Sequence, residues 1–382
     1  MMAAQIVKES VFAEDFRKLI AGSSEPAALR KLREEAFAYF EENGFPTQRL
    51  EDWKYTNVTP IAKENWRVAS PDTISGEEKL TGLLGRFNFE RNGFTALNQA
   101  LANISIVRIP KETSLDQPIE IAFEGKEAIA TFPHVIVIAE AGSKAILIES
   151  YTSSAKSFTN AAVQIFVDDN ANLTHYRVQK ESAEAFHYGV TETSMGRGSV
   201  YNATSINLGG AISRHDIELK FTAEGSEAWV DGLYMINGTQ HSDTHSIIDH
   251  TVPNCTSHQN YKGVLNDKSR AVFNGKVFVR ENAHGTDAQQ SNKNLLLSND
   301  ARVDTKPQLE IFNDDVKCAH GATVGQLEEE ELFYLLTRGL PETLARNLLT
   351  YGFAEEIITK IGIEKIKAEL DNAVLHRLAT VL

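Results

Sequence analysis

Apolar residues follow two different spacings along this chain. Within residues 5–45 they recur at helical spacing, as on one face of an amphipathic helix. From about Ile104 they form short runs rich in Val and Ile that are bounded by Gly, Asn and Asp, which is typical of strands. Helical spacing returns near the carboxyl end. We therefore predict a helical region at 1–101, a β core at 102–327 and a second helical region at 328–382.

The β core carries an internal repeat of six turn-and-strand motifs. The residues that end these motifs are Ala145, Leu173, Val200, Ala228, Ala271 and Val303. The first three steps between them are nearly equal and the last two are longer, and we interpret the longer steps as solenoid turns with insertions. A period in the twenties without helices between the strands favours a stacked β-helix over a β-sandwich. The flanking helices could cover its ends.

Composition limits the chemistry that this chain can perform alone. It has 382 residues and a net charge of −14, which argues against nonspecific binding to nucleic acid or anionic membranes. Its two cysteines, Cys255 and Cys318, are too few for a disulfide scaffold or a self-contained iron–sulfur site. No apolar stretch approaches the ~18 residues of a membrane span, and no secretory signal is visible. We therefore expect a cytoplasmic protein with reduced thiols.

Imidazoles and carboxylates alternate in the segment from Gln240 to His250. On a strand, His241, Asp243 and His245 share one face and could bind a divalent metal. The alternative is a polar ladder in which each imidazole is hydrogen-bonded to a neighbour. One hypothesis for the whole chain is therefore a β-helix enzyme, either metal-dependent or acting on carbohydrate, that uses these three residues.

A second candidate pair lies near the end of the β core. Cys318 and His320 are two positions apart, so they share a face if the segment is extended. A thiolate at Cys318 needs a neighbouring cation, for which Lys317 and His320 are candidates, whereas a lone cysteine is more often a small buried apolar residue. The sequence contains no GxxxxGK[ST] phosphate loop, which argues against nucleotide hydrolysis by this chain.

Two further segments carry apolar side chains that could contact a partner. In Arg49–Val58 aromatic residues alternate with charged ones, which fits a docking strip but is more often an amphipathic segment pinned to a helix. Near the carboxyl end Leu332, Phe333, Leu335 and Leu336 recur at helical spacing. We expect most of this stripe to pack within the chain and part of it to be a docking face.

Several of these segments resemble a known family. TKPQLEIFNDDVKCAHGATVG (Thr305–Gly325), GLYMINGTQHSDTHSIIDH (Gly232–His250) and EDWKYTNV (Glu51–Val58) are similar to motifs of the SufB/SufD family. Members of this family are the scaffold subunits of the Suf iron–sulfur cluster assembly machinery. SufB-type chains resemble this core but carry additional cysteines. With two cysteines and the Glu51–Val58 segment, the chain resembles the SufD branch.

The resemblance implies an architecture and a set of partners. It implies a right-handed parallel β-helix between helical ends, which agrees with the sequence repeat. It further implies a non-catalytic scaffold subunit that pairs with SufB and binds the ATPase SufC through its C-terminal helical region. A homodimer in isolation is a further expectation, and the chain alone would hold no cofactor stably.

The resemblance also ranks the candidate residues. In the family, the position that matches His320 lies at the SufB–SufD interface, where a transient iron–sulfur cluster or its iron is thought to be held with a SufB cysteine. His320 is therefore the expected ligand, and Cys318 beside it is the weaker candidate. His241, Asp243 and His245 keep a metal-binding role only as a minor alternative.

Overall fold

Parallel strands stack into a β-solenoid of about eight turns, with helices before and after it. The computed structural model describes residues 10–22, 25–69 and 82–380. Nearly all strands lie between Asn103 and Gly325, where the sequence is rich in β-branched residues and turn formers. The prediction of a mainly β, parallel β-helix core between helical regions is confirmed.

The strands form two parallel sheets, which the chain visits alternately from β5 (Pro133–Ala139) onward. Besides β5, the first sheet contains β1 (Arg67–Val68), β2 (Asn103–Ile109), β4 (Ile129–Thr131), β7 (Phe158–Val167), β9 (Phe186–Met195), β11 (Ile212–Phe221), β13 (His241–His250), β15 (Arg270–Val279) and β17 (Arg302–Ile311). The second sheet contains β3 (Ile119–Gly125), β6 (Lys144–Ser153), β8 (Asn172–Lys180), β10 (Val200–Asn207), β12 (Glu227–Ile236), β14 (Thr256–Leu265), β16 (Thr286–Leu296) and β18 (Val316–Gly325).

The length of a solenoid turn is nearly constant, since the strands of the second sheet from β6 to β18 begin at nearly equal intervals along the chain. The interpretation of the longest step, from Ala228 to Ala271, as an insertion is therefore wrong. The first four repeat motifs begin strands of the second sheet, whereas Ala271 and Val303 lie on β15 and β17 of the first sheet. The step is long because it changes sheet and so spans more than one turn.

Alternate side chains of both sheets point into the solenoid and pack between the sheets. Much of this interior is apolar, with Val137, Ile165 and Phe273 among its fully buried members. The rest is polar and hydrogen-bonded between neighbouring turns, as between His175 Nε2 and Glu149 Oε2 (2.8 Å). Buried polar groups need such partners because an unpaired one is costly.

The N-terminal helices cover part of the outer face of the first sheet. They are α1 (Ser10–Gly22), α2 (Ala27–Asn43), α3 (Thr59–Lys63) and α4 (Gly93–Leu101). Asn92 and Thr95 form a capping box that starts α4, and every residue of this helix is buried. An aromatic cluster joins the helices to the sheet, with members Phe12, Phe37, Phe40, Trp53, Phe94, Phe158 and Tyr188.

Of the C-terminal helices α5 (Glu329–Thr337), α6 (Glu342–Ile358) and α7 (Glu364–Thr380), the last two lie on the outer face of the second sheet. Ile357 of α6 and Leu370 of α7 pack with Val178 and Leu233 of the sheet. No helix in the described ranges is both long and apolar enough to cross a bilayer.

Helix α5 differs from the other two C-terminal helices because none of its residues is buried. The prediction that the stripe Leu332, Phe333, Leu335 and Leu336 packs mostly within the chain is therefore wrong. Phe333 is 67% exposed. Helical spacing identified the apolar face correctly, but spacing does not show whether the chain itself covers that face.

Candidate functional site

The last turn of the solenoid leaves its inner side uncovered, and we call this turn, β17 and β18, the open end. β17 and β18 are the terminal strands of their sheets. Ile311 and Val324 are 41% and 49% exposed, although their register partners on the preceding turn, Val279 and Asn294, are buried. The open end therefore combines exposed apolar side chains with the outer edges of two strands, to which no strand of the described chain pairs.

Cys318 and His320 both lie on β18, two positions apart and on one strand face, as the sequence predicts for an extended segment. The chain reverses before β18 through an Asx turn, in which Asn313 Oδ1 accepts the N–H of Asp315 (2.9 Å). This turn sets where β18 begins and thus where the two side chains lie.

The two side chains differ in exposure. Cys318 is partly buried and packs against the apolar interior. Burial raises the pKa of its thiol, and the charge of Asp287 acts in the same direction. This environment favours the protonated thiol, which is a poor metal ligand. His320 is exposed at the open end, so its imidazole is accessible to a partner.

A shallow cavity of about 260 Å³ borders His320. Trp229, His258, Gln289 and Ala319 line it, and they are register partners on four successive strands of the second sheet. The rings of Trp229 and His258 stack with centroids 4.3 Å apart. The surface beside His320 is therefore an ordered part of the sheet.

The structure brings His241, Asp243 and His245 together on β13, facing outward from the first sheet. Thr56 of the Glu51–Val58 segment lies over them. His241 Nε2 donates to Thr56 Oγ1 (2.8 Å), and Thr56 donates to Asp243 Oδ2 (2.5 Å). His245 Nε2 lies 3.1 Å from Asp243 Oδ1. Of the two interpretations of this segment, a docking strip for a partner or an amphipathic segment pinned within the chain, these contacts favour the second.

Arg214 completes this cluster from the neighbouring strand β11. Its guanidinium donates to Asp216 Oδ1 and to Asp243 Oδ2, each at 2.8 Å, and to the carbonyl of Asp52 (2.6 Å). It also lies over the Trp53 ring, 3.7 Å from the centroid. Burial alone would raise the pKa of Asp243, but the charges of Arg214 and His245 hold it well below its ordinary value.

This arrangement favours the ladder alternative over a metal site at these three residues. The Asp243 carboxylate already binds a guanidinium and a hydroxyl. His241 Nε2 is likewise already engaged, by Thr56 Oγ1. Across the described ranges, no group of three or more His, Cys, Asp or Glu side chains is placed to hold a metal ion. The contacts of the cluster are those of a structural joint between the N-terminal region and the solenoid.

Sequence reasoning missed Gln290, which is the register partner of His320 on β16. Its side chain is buried inside the solenoid next to the open end. One solenoid turn separates the two positions, and the spacing of strands within the second sheet would have identified the pair. The six-motif repeat could not supply that spacing because it mixed the two sheets.

Comparison with known proteins identifies the class of this solenoid. Residues 122–353 match the family described as "SUF system FeS cluster assembly, SufBD core domain". Residues 9–74 match "SufBD protein N-terminal region". The two matches cover most of the β core and the helical region that precedes it, so the class is that of SufBD-type β-solenoids.

The chain belongs to the SufB/SufD family of iron–sulfur cluster assembly proteins, and SufD proteins are among its homologues. It is 35% identical over 351 residues to SufBD family protein slr0076 of Synechocystis sp., which covers 88% of this chain and 76% of the relative. It is 31% identical over 373 residues to Escherichia coli SufD, covering 86% of this chain and 88% of the relative. Identity to Bacillus subtilis SufD is 28% over 294 residues, covering 74% and 66%.

Proposed function

We propose that this chain is a non-catalytic scaffold subunit of a cytoplasmic Suf complex, in which it pairs with SufB and binds the SufC ATPase. The complex would build iron–sulfur clusters as its product, with the cluster or its iron held transiently between this chain and SufB. Family membership supports the general role in cluster assembly. The open end is the observation that carries the specific proposal.

The open end has the properties of a strand-pairing interface. A terminal strand presents unpaired N–H and C=O groups, and these can pair with a strand of another chain. Ile311, Phe312 and Val324 add exposed apolar surface at this end. Burying such side chains between two subunits is favourable, at roughly 25 cal/mol for each Å² of apolar surface. A SufB solenoid with a matching open end is the partner that we propose.

His320 is the residue of this chain that we propose as a ligand for the transient cluster or iron. It lies on the strand that would meet SufB, and its imidazole is exposed. Clusters are held by thiolates or imidazoles, and at least three further ligands are needed for a four-coordinate iron. Partial burial raises the pKa of the Cys318 thiol and favours its protonated form, so we assign the thiolates to the partner.

We further propose that the energy of ATP hydrolysis comes from SufC. The sequence has no phosphate-binding loop, so a nucleotide-driven step requires another subunit. Phe333, Tyr334, Leu336, Leu344 and Leu348 of α5 and α6 are exposed, and we call them the C-terminal apolar face. Exposed apolar patches of this kind mark protein-interaction sites. We assign this face to SufC.

Replacing His320 tests the ligand assignment. The variant His320→Ala, assembled with SufB and SufC, is expected to form clusters with a yield about tenfold or more below that of the unmodified complex, because iron loses a ligand. Subunit pairing should be preserved, since the change removes no core side chain. Iron and sulfide analysis of the purified complex, with its absorption spectrum, measures the yield.

The matched control is His284→Ala, which removes an exposed imidazole from the turn before β16. This control should leave the cluster yield unchanged. A normal cluster yield from the His320→Ala complex would remove His320 from the proposal.

A further inference from the structure

Three polar side chains inside the solenoid form a hydrogen-bonded series that leads toward His320. Gln259 Nε2 donates to Ser246 Oγ (2.9 Å), and Gln290 Nε2 donates to Gln259 Oε1 (2.6 Å). Gln259 and Gln290 are register partners on β14 and β16, and both are buried. We call Ser246, Gln259 and Gln290 the interior ladder.

The hydrogen bonds of the interior ladder all have the same direction. In each step an amide N–H donates toward the start of the solenoid, so the amide oxygen is left for a donor on the next turn. Gln259 Oε1 follows this rule, since it accepts from Gln290. Gln290 Oε1 is the last acceptor of the ladder. It is buried and has no hydrogen-bond partner among the residues that the structure describes, which is a costly state for a carbonyl oxygen.

The Gln290 amide is also held in place by packing. A Cβ atom built on Gly275 of β15 would lie only 2.3 Å from Gln290 Nε2. The amide therefore lies directly against the backbone of the opposite sheet, in space that the glycine leaves open. With its N–H bound to Gln259 and its flank against Gly275, the amide cannot turn its oxygen elsewhere without losing contacts.

His320 follows Gln290 on the next turn, but in this structure its imidazole makes no hydrogen bond to Gln290 Oε1, so the ring would have to turn toward the interior to donate to it. The β16–β18 register pairs Gln290 with His320. His320 shares its strand face with Cys318, which packs against the interior, so this face is the one that continues the ladder. A neutral imidazole has one N–H donor and one nitrogen with a lone pair.

We propose that Gln290 is a positioning residue: its Oε1 accepts the N–H of His320 and so fixes which ring nitrogen carries the proton. Histidines that bind metals usually donate their other N–H to an oxygen, which fixes the tautomer and the ring orientation. The second ring nitrogen of His320 then keeps its lone pair and faces the open end. The proposal rests on the proposed function for the ligand role of His320, but the tautomer is a property of this chain alone.

The tautomer of His320 is the direct test. Nitrogen-15 NMR of the full chain, labelled at histidine, reports which ring nitrogen is protonated, and His320→Ala assigns the signal. One tautomer should predominate in the unmodified chain. In Gln290→Met, which removes the acceptor at nearly constant volume, the ratio of tautomers should fall roughly fivefold, as expected for one lost hydrogen bond. An unchanged ratio overturns the proposal. If this variant does not fold, Gln290→Leu carries the same prediction.

Gln259→Met is the matched control, because it makes the same substitution in the same interior one turn farther from His320. It should lower the thermal unfolding temperature about as much as Gln290→Met but change the tautomer ratio of His320 much less, because the acceptor Gln290 Oε1 is still present. An equal change of the ratio in both variants would mean that the ladder acts only through general packing, and the positioning role would be wrong.

Measuring the cluster yield distinguishes a failure of this inference from a failure of the proposed function. In the complex with SufB and SufC, Gln290→Met should reduce the cluster yield by about tenfold, the lower end of what loss of a second-sphere partner costs a metal site. If the complex with His320→Ala assembles clusters normally while Gln290→Met changes the tautomer ratio of His320, the ligand role of His320 is wrong but its hydrogen bond to Gln290 is supported. If His320→Ala loses clusters while Gln290→Met leaves the tautomer unchanged, only the positioning role fails.

Discussion

Arg214 explains why His241, Asp243 and His245, whose side chains have metal-binding chemistry, instead form a structural joint between the N-terminal region and the solenoid. It pairs with Asp216 and Asp243 and stacks on Trp53, so it joins the solenoid to the N-terminal region. The alternation of His241, Asp243 and His245 was readable from the sequence because a strand has a period of two. Their partner was not readable, because Arg214 lies one turn earlier, and the register between turns is set by packing over the whole solenoid.

Removing the guanidinium tests this joint. Arg214→Met leaves two buried carboxylates without their cation, and we expect the free energy of unfolding to fall by roughly 3–5 kcal/mol. The matched control is Arg280→Met, which breaks the pair with Asp249 at the surface and should cost under about 1 kcal/mol. Urea titrations of both variants measure the difference. Equal losses would contradict the role of Arg214.

Among the elements, the C-terminal helices show where sequence patterns stop being informative. The position of the helices and their apolar stripes follow from spacing. The apolar faces of α6 and α7 pack against the second sheet, whereas α5 has no buried residue. Both situations give the same pattern in sequence, since a face covered by a partner is as apolar as one covered by the chain. The C-terminal apolar face was therefore visible only once the packing was known.

We expect glutamates on the C-terminal apolar face to weaken SufC binding. The variant Leu344→Glu with Leu348→Glu places two charges one helical turn apart on the exposed side of α6, and affinity should fall by about tenfold or more. Calorimetric titration with SufC measures the change. Ala368→Glu, at an exposed position of α7, is the control and should bind as the unmodified chain does. An affinity unaffected by the double change would rule this face out.

At the scale of the whole molecule, the order of helices, solenoid and helices was predictable because each part has its own period. The period also predicted stacked turns, although mixing the two sheets gave false insertions. What the sequence could not provide was the state of the last turn. β17 and β18 become a candidate interface because of their terminal place in the sheets. That candidate interface is the basis of the proposed pairing.

The proposed pairing of the open end with SufB can be tested by native mass spectrometry of this chain mixed with SufB and SufC. We predict a complex with one copy of this chain, one SufB and SufC bound to both. The substitution Val324→Arg at the open end should separate this chain from SufB and leave SufC binding intact. A chain that stays monomeric or homodimeric beside SufB, or a Val324→Arg variant that still pairs, would contradict the account.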